Sequence, residues 1–144
     1  MRDDDDEEAL NVECAGYDKA DLADIPGTTI FTIASSRRAY HLHRFCMSLM
    51  KAENRSAFKA DEPGYLDRFG VTGEQRDAVL RRDYGGLIAL DGNFYFLVKI
   101  ASCDGISAAQ AVSTMTDLSV EDYTAMMMTG GRSPDGVRSI SGRF

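Results

Sequence analysis

The sequence predicts a mainly α protein: a small, irregular helical domain with long loops, extended termini and little or no sheet. Three observations carry this. Ala39, Leu42, Phe45, Cys46, Leu49 and Met50 recur at helical spacing and make one apolar stripe. Capping residues precede the later apolar runs: Thr72 with Gln75, Ser107, and Ser119 with Asp122. The short β-prone run "TIFTI" (29–33) has no clear second strand to pair with, so it is expected to lie extended over helices.

The elements follow in order. Residues 1–24 are polar and lack a sustained period. "DIPGT" (24–28) is a turn signal, and the folded domain is expected to begin there. The chain therefore divides into an acidic tail without structure (1–23) and a helical domain (24–144). Ser35 or Ser36 is placed to cap the helix that carries the apolar stripe. "DEPGYLDRFG" (61–70) reads as a loop and short helix stopped by Gly70. Leu80, Tyr84, Leu87 and Ile88 continue one helical period, which predicts a single helix over 73–90, weakened at Gly85 and Gly86 by about 1 kcal/mol each relative to Ala. "FYFLVKIA" (94–101) is ambiguous, because propensity alone favours a strand and length does not decide. Asp104 and Gly105 break the chain again, and Ser107 opens a short helix through Met115. A further helix through the methionines at 126–128 ends at Gly130 and Gly131. The last stretch is rich in turn formers and carries Arg132, Arg138 and Arg143.

The formal net charge of −7 is largely a tail property. Residues 1–8 hold six acids and one arginine, and the other 136 residues hold only −2. Such a run of like charge is expected to stay solvated, with docking to a basic partner as the alternative. The acidic balance argues against nucleic-acid binding, which needs clustered Lys and Arg. No stretch approaches the roughly 18 apolar residues of a membrane span, and an N-terminus acidic from residue 3 resembles neither a secretory signal nor a transit peptide. Cys14, Cys46 and Cys103 are odd in number and form no C-x-x-C, so a reducing, cytoplasmic setting is expected.

His41 and His43, the only two histidines, lie beside Cys46 and raise the question of a metal site. A chelating pair on a helix needs i, i+4 spacing. Two residues apart, the rings diverge by roughly 160–200°. Cys46 belongs to the apolar stripe, where a free cysteine usually packs as a small hydrophobe. Both histidines are therefore read as edge-of-core or interface residues, and neither a two-histidine iron centre nor a zinc site is expected on this chain. No nucleophile elbow, Walker loop or dinucleotide fingerprint occurs. Asp104 beside Cys103 disfavours a reactive thiolate. From chemistry alone the chain is a non-catalytic helical module.

Several stretches in order, from "DIPGT" through "FCMSLMKAENRSAFKADE", "YLDRFGVT", "AVLRRDY", "GNFYFLVKI" and "MTDLSVEDYTAMM" to "GGRSPDGVRSI", resemble the small (alpha) subunit of protocatechuate 4,5-dioxygenases. The resemblance covers 24–140. It implies a mostly helical alpha subunit without iron. That subunit covers the active-site mouth of a large beta subunit, in an α2β2 assembly. It implies Fe(II) held by the beta subunit, a catechol acid at the subunit interface, and ring opening of 3,4-dihydroxybenzoate between C4 and C5 with O2. It also implies that "FYFLVKIA" is a helix. The site residues it points to are Asp104, Ser107 and Ala108 in a lid loop, with Arg132, Arg138 and Ser139 in the C-terminal motif; none is catalytic. The family's D-G-K-S-F-Q loop reads here Asp104-Gly105-Ile106-Ser107-Ala108-Ala109, so a lysine and a phenylalanine are absent. A gallate or methylgallate enzyme is therefore an alternative, as is a free-standing helical binding or regulatory module.

Overall fold

A computed structural model describes residues 19–133 and 139–142. Among these residues the chain forms ten helices and no strand. The acidic run, Cys14, Arg138 and Arg143 lie outside them. The first helix, α1 (Lys19–Ala23), falls inside the stretch read as tail. Residues 28–32 then run without regular structure, as expected for "TIFTI", although Ile33 already begins α2 (Ile33–Arg38). Thr32, not Ser35 or Ser36, caps α2: its side chain accepts from the Ser35 N–H at 3.1 Å.

A break at Ala39 leads into α3 (Tyr40–Ser48). Ala39, Leu42, Phe45, Cys46 and Leu49 are buried as the stripe predicted. Met50 is not: α3 stops at Ser48, Leu49 becomes its C-cap, and Met50 turns outward at 62% exposure. Next come α4 (Ala52–Ala60) and α5 (Glu62–Phe69). Asp61 caps α5, and Gly70, at φ 70°, ends it in the left-handed conformation that glycine adopts without steric cost.

The single helix expected over 73–90 is two: α6 (Gly73–Arg81) and α7 (Tyr84–Ala89). The break is not at the glycines. It falls at Arg82, whose φ is 58°, and Asp83 caps the second helix through the Gly86 N–H. The T-x-x-Q capping box does not form either. Thr72 is the N-cap without a side-chain bond, and Gln75 donates instead to the Leu90 carbonyl at 2.9 Å.

"FYFLVKIA" is helical, within α8 (Phe94–Cys103). Asn93 opens it by accepting from the Tyr95 N–H. Helix α8 packs on α3 to form the centre of the domain. Leu97, Ile100 and Ala101 meet Leu42, Phe45 and Cys46 in one core, together with Phe58, Leu66, Val79, Leu87 and Ala111. Phe45 lies 5.0 Å from Phe58 and 6.1 Å from Tyr65, tilted or edge-on, the arrangement in which ring quadrupoles attract. Ser107 caps α9 (Ala108–Ser113) through a full capping box with Gln110. Ser119 caps α10 (Val120–Met128).

Candidate functional site

Asp104 ends α8 as its C-cap and begins the turn that leads to α9. Its N–H donates to the carbonyls of Ile100 and Ala101, both at 3.0 Å, and its carboxylate faces two cations. Arg82 Nε donates to Oδ2 at 2.6 Å and Lys59 Nζ donates to Oδ1. Burial works against this carboxylate, but the hydrogen bonds from Arg82 and Lys59 outweigh it and hold the group below the usual carboxylate range. Arg82 is shared with Glu62, the first residue of α5. The cluster thus ties α4, α5, the end of α6 and the end of α8 to one point.

From Asp104 the chain needs only Gly105 and Ile106 to reach Ser107. Gly105 has φ 76°, and the Ile106 N–H returns to the Ala101 carbonyl at 3.0 Å. Ser107 then caps α9: its Oγ accepts from the Gln110 N–H at 3.1 Å, and its N–H donates to Gln110 Oε1 at 2.7 Å. Ala108 is the first residue of α9. With Ala109, Val112, Tyr123, Thr124, Met127 and Met128 it lines an apolar cleft of about 290 Å³ between α9 and α10. Met127 and Met128 are exposed at its rim.

The C-terminal motif is placed elsewhere. Ser139 Oγ donates to Asp24 Oδ2, the Ser141 N–H donates to Asp24 Oδ1 at 2.7 Å, and the Ile140 N–H donates to the Asp24 carbonyl at 2.8 Å. Asp24, buried at 7% exposure, so fastens residues 139–141 to the turn that opens the domain. Arg132 is exposed just beyond α10, and Arg138 lies outside the described residues.

The two histidines part as their spacing requires. His41 is exposed, and its Nδ1–H donates to the Phe69 carbonyl at 2.9 Å. His43 is buried, stacks on Phe96 at 4.3 Å, and through Nε2 accepts the Asn93 N–H at 3.0 Å. Burial lowers its pKa, in keeping with the neutral ring that this bond requires. Cys46 is buried among apolar neighbours and its thiol is pushed up to about 12, first by desolvation. Among the described residues no group of three or more His, Cys, Asp or Glu is placed to hold a metal ion, and no helix is long and apolar enough to cross a membrane.

The structure thus gathers Asp104, Ser107 and Ala108 into one turn and helix start, and puts Ser139 with Asp24. Sequence reasoning missed Arg82, Lys59, Glu62 and Asp24. Asp24 was visible only as part of a turn signal, and the other three are charged residues on exposed-looking helix faces. What the arrangement offers is a surface turn anchored at both ends beside an apolar cleft.

Residues 42–128, more than half of the chain, match the family model described as the LigA subunit of the aromatic-ring-opening dioxygenase LigAB. Over 99 residues the sequence is 27% identical to a gallate dioxygenase of Pseudomonas putida KT2440, an alignment that takes in 69% of this chain and 29% of that protein. The chain spans under a third of the length of this curated relative.

Proposed function

Because the chain belongs to the LigA-subunit family of LigAB aromatic-ring-opening dioxygenases, we propose that it is the small, non-catalytic subunit of such an enzyme and covers the active site of a large ring-opening subunit. The observation that carries this is the family match over α3 to α10, the elements that build the core, the charged cluster and the 104–108 turn. Its described side chains do not fit an iron site. Among the described residues no three His, Cys, Asp or Glu side chains come together to hold a metal ion, and His43 already accepts the Asn93 N–H through Nε2. On this reading, supported by the family match, Fe(II) is held by the large subunit, in an α2β2 assembly in the cytoplasm.

The reaction of the assembly is opening of 3,4-dihydroxybenzoate between C4 and C5 with O2. This chain contributes a cover that excludes water and shapes the approach. Asp104, Ser107 and Ala108 form the part of the lid turned to the substrate path. Arg132, Arg138 and Ser139 belong to the C-terminal segment, where guanidinium forks suit a carboxylate of substrate or partner. Residues 24–144 are the functional domain, with 1–23 as an accessory tail.

A second substrate reading is favoured by a specific observation. Ala108 presents only a methyl group to an open apolar cleft, and the similar P. putida protein is a gallate dioxygenase. A ring with an extra hydroxyl or methoxy group has room there.

Co-expression with a candidate large subunit tests both readings. The expected result is a co-purifying complex that forms ring-cleavage product from 3,4-dihydroxybenzoate or gallate, with neither chain fully active alone. A stable monomer that joins no large subunit would instead support a free-standing module. Arg132→Ala and Arg138→Ala then separate roles: lost assembly marks an inter-subunit salt bridge, and a raised KM in an intact complex marks substrate contact.

A further inference from the structure

Arg82 stands where helix chemistry asks for a different residue. As the C-cap of α6 it has φ 58° and ψ 34°, the left-handed conformation that glycine takes freely and side chains resist. A strained backbone persists where the surroundings over-determine it, and here the side chain does so. The five N–H groups of its guanidinium make five hydrogen bonds. Two go to Asp104, at 2.6 and 3.2 Å, two to Glu62, at 3.0 and 2.6 Å, and one to the Val79 carbonyl, at 2.8 Å. The plane also lies 5.5 Å from the Phe58 ring centre. Lys59, the other cation on Asp104, is a single flexible ammonium with a 45% exposed side chain, and it cannot reproduce this fork.

The geometry matters because the turn after Asp104 is anchored at two ends. Gln110 holds Ser107 at one end and Arg82 holds Asp104 at the other, with Gly105 and Ile106 between. The structure assigns to Arg82 the role of positioning residue for the 104–108 turn. By fixing Asp104 it sets the orientation of Ile106 and Ala108, and with it the discrimination between ring substituents on the catechol substrate. The substrate half of this inference rests on the small-subunit reading above.

Two variants test it. Arg82→Lys keeps the charge and removes the fork. Arg82→Gly removes the side chain but gives the left-handed cap the residue it prefers, which guards against simple misfolding. In the full chain without a partner, amide exchange at Gly105 and Ile106 should rise about tenfold in both variants, while Leu42 and Leu97 in the core keep their protection. In the assembled enzyme the ratio of kcat/KM between 3,4-dihydroxybenzoate and a methoxylated analogue should move toward unity by roughly five- to tenfold, through KM rather than kcat. Unchanged protection at Gly105 and Ile106 in both variants overturns the positioning role, whatever the activity. Lost protection with an unchanged substrate ratio overturns its link to discrimination and leaves a purely structural clamp. If wild-type chain opens no ring with any large subunit, the small-subunit reading fails, and the exchange measurement still decides whether Arg82 positions the turn.

Discussion

His43 offers a direct test of how the core and the start of α8 are joined. Its Nε2 accepts the Asn93 N–H at 3.0 Å, its ring stacks on Phe96 at 4.3 Å, and Phe31 tilts against it at 5.7 Å. His43→Phe keeps an aromatic ring but leaves the Asn93 N–H without its acceptor, at a cost of about 1–3 kcal/mol. His43→Ala also loses two aromatic contacts of about 0.5–1.5 kcal/mol each, so about 2–6 kcal/mol is expected in all. With a typical urea slope, His43→Phe should lower the unfolding midpoint by about 1 M at pH 7.5. The pH dependence has a definite sign. Burial lowers the folded pKa of His43 below its unfolded value near 6.5. Above that value both states are neutral, and the hydrogen bond contributes fully. As pH falls below it the unfolded chain takes up a proton that the folded chain refuses, and stability drops until the folded pKa is passed. Wild type and His43→Phe should therefore converge between pH 7.5 and 5. Urea titrations at both pH values measure this. Equal stability at pH 7.5, or a gap that does not narrow at pH 5, would refute the reasoning.

Three other outcomes are expected. Ala108→Phe in the complete complex should narrow the cleft between α9 and α10 and lower kcat/KM for a methoxylated catechol acid relative to 3,4-dihydroxybenzoate, by tens-fold at most, given about 1–3 kcal/mol for such groups; no relative change would place the cleft outside the substrate path. The isolated chain should take up no stoichiometric iron(II) in equilibrium dialysis, and one-to-one uptake abolished by changing both His41 and His43 would contradict the reading of those rings. Tyr84 Oη is buried without a hydrogen-bond partner among the described residues, and burial, the largest cause, raises its pKa to about 12. Tyr84→Phe should thus be neutral or stabilising by up to about 1 kcal/mol in thermal unfolding, whereas a loss of 2 kcal/mol or more would reveal a partner for the hydroxyl.

The buried stripe of α3 was legible because apolar spacing and core burial report the same geometry. Met50 escaped because a helix end interrupts the period one residue earlier than the pattern does. The split between α6 and α7 was invisible for a deeper reason. Leu80, Tyr84, Leu87 and Ile88 continue the period across it, and what enforces the break is the clamp of Arg82 on residues 20 and 22 positions away in sequence. The Thr72–Gln75 pattern failed similarly, since Gln75 found a better acceptor in Leu90, 15 residues on. "FYFLVKIA" shows propensity yielding to context: among the described residues no strand was there to pair with it, while α3 offered an apolar face. For the candidate site, Asp104, Ser107 and Ala108 were reached through a family resemblance, whereas Arg82, Lys59 and Glu62 lie in the stretches that carry that resemblance but show no local pattern that pairs them with Asp104.

The fastening at Asp24 bears on the order in which the molecule is made. Its partners Ser139 and Ser141 lie 115 and 117 residues away along the chain. In an unfolded chain, closing so long a loop costs about 2 kcal/mol more entropy than closing one of about ten residues. Once the helices have packed, only the short stretch beyond α10 remains to be placed, and that cost largely disappears. The clasp is thus expected to form late in folding and to open early in unfolding. Weakening Asp24 should leave the refolding rate nearly untouched and accelerate unfolding, making this junction a determinant of lifetime rather than of folding speed.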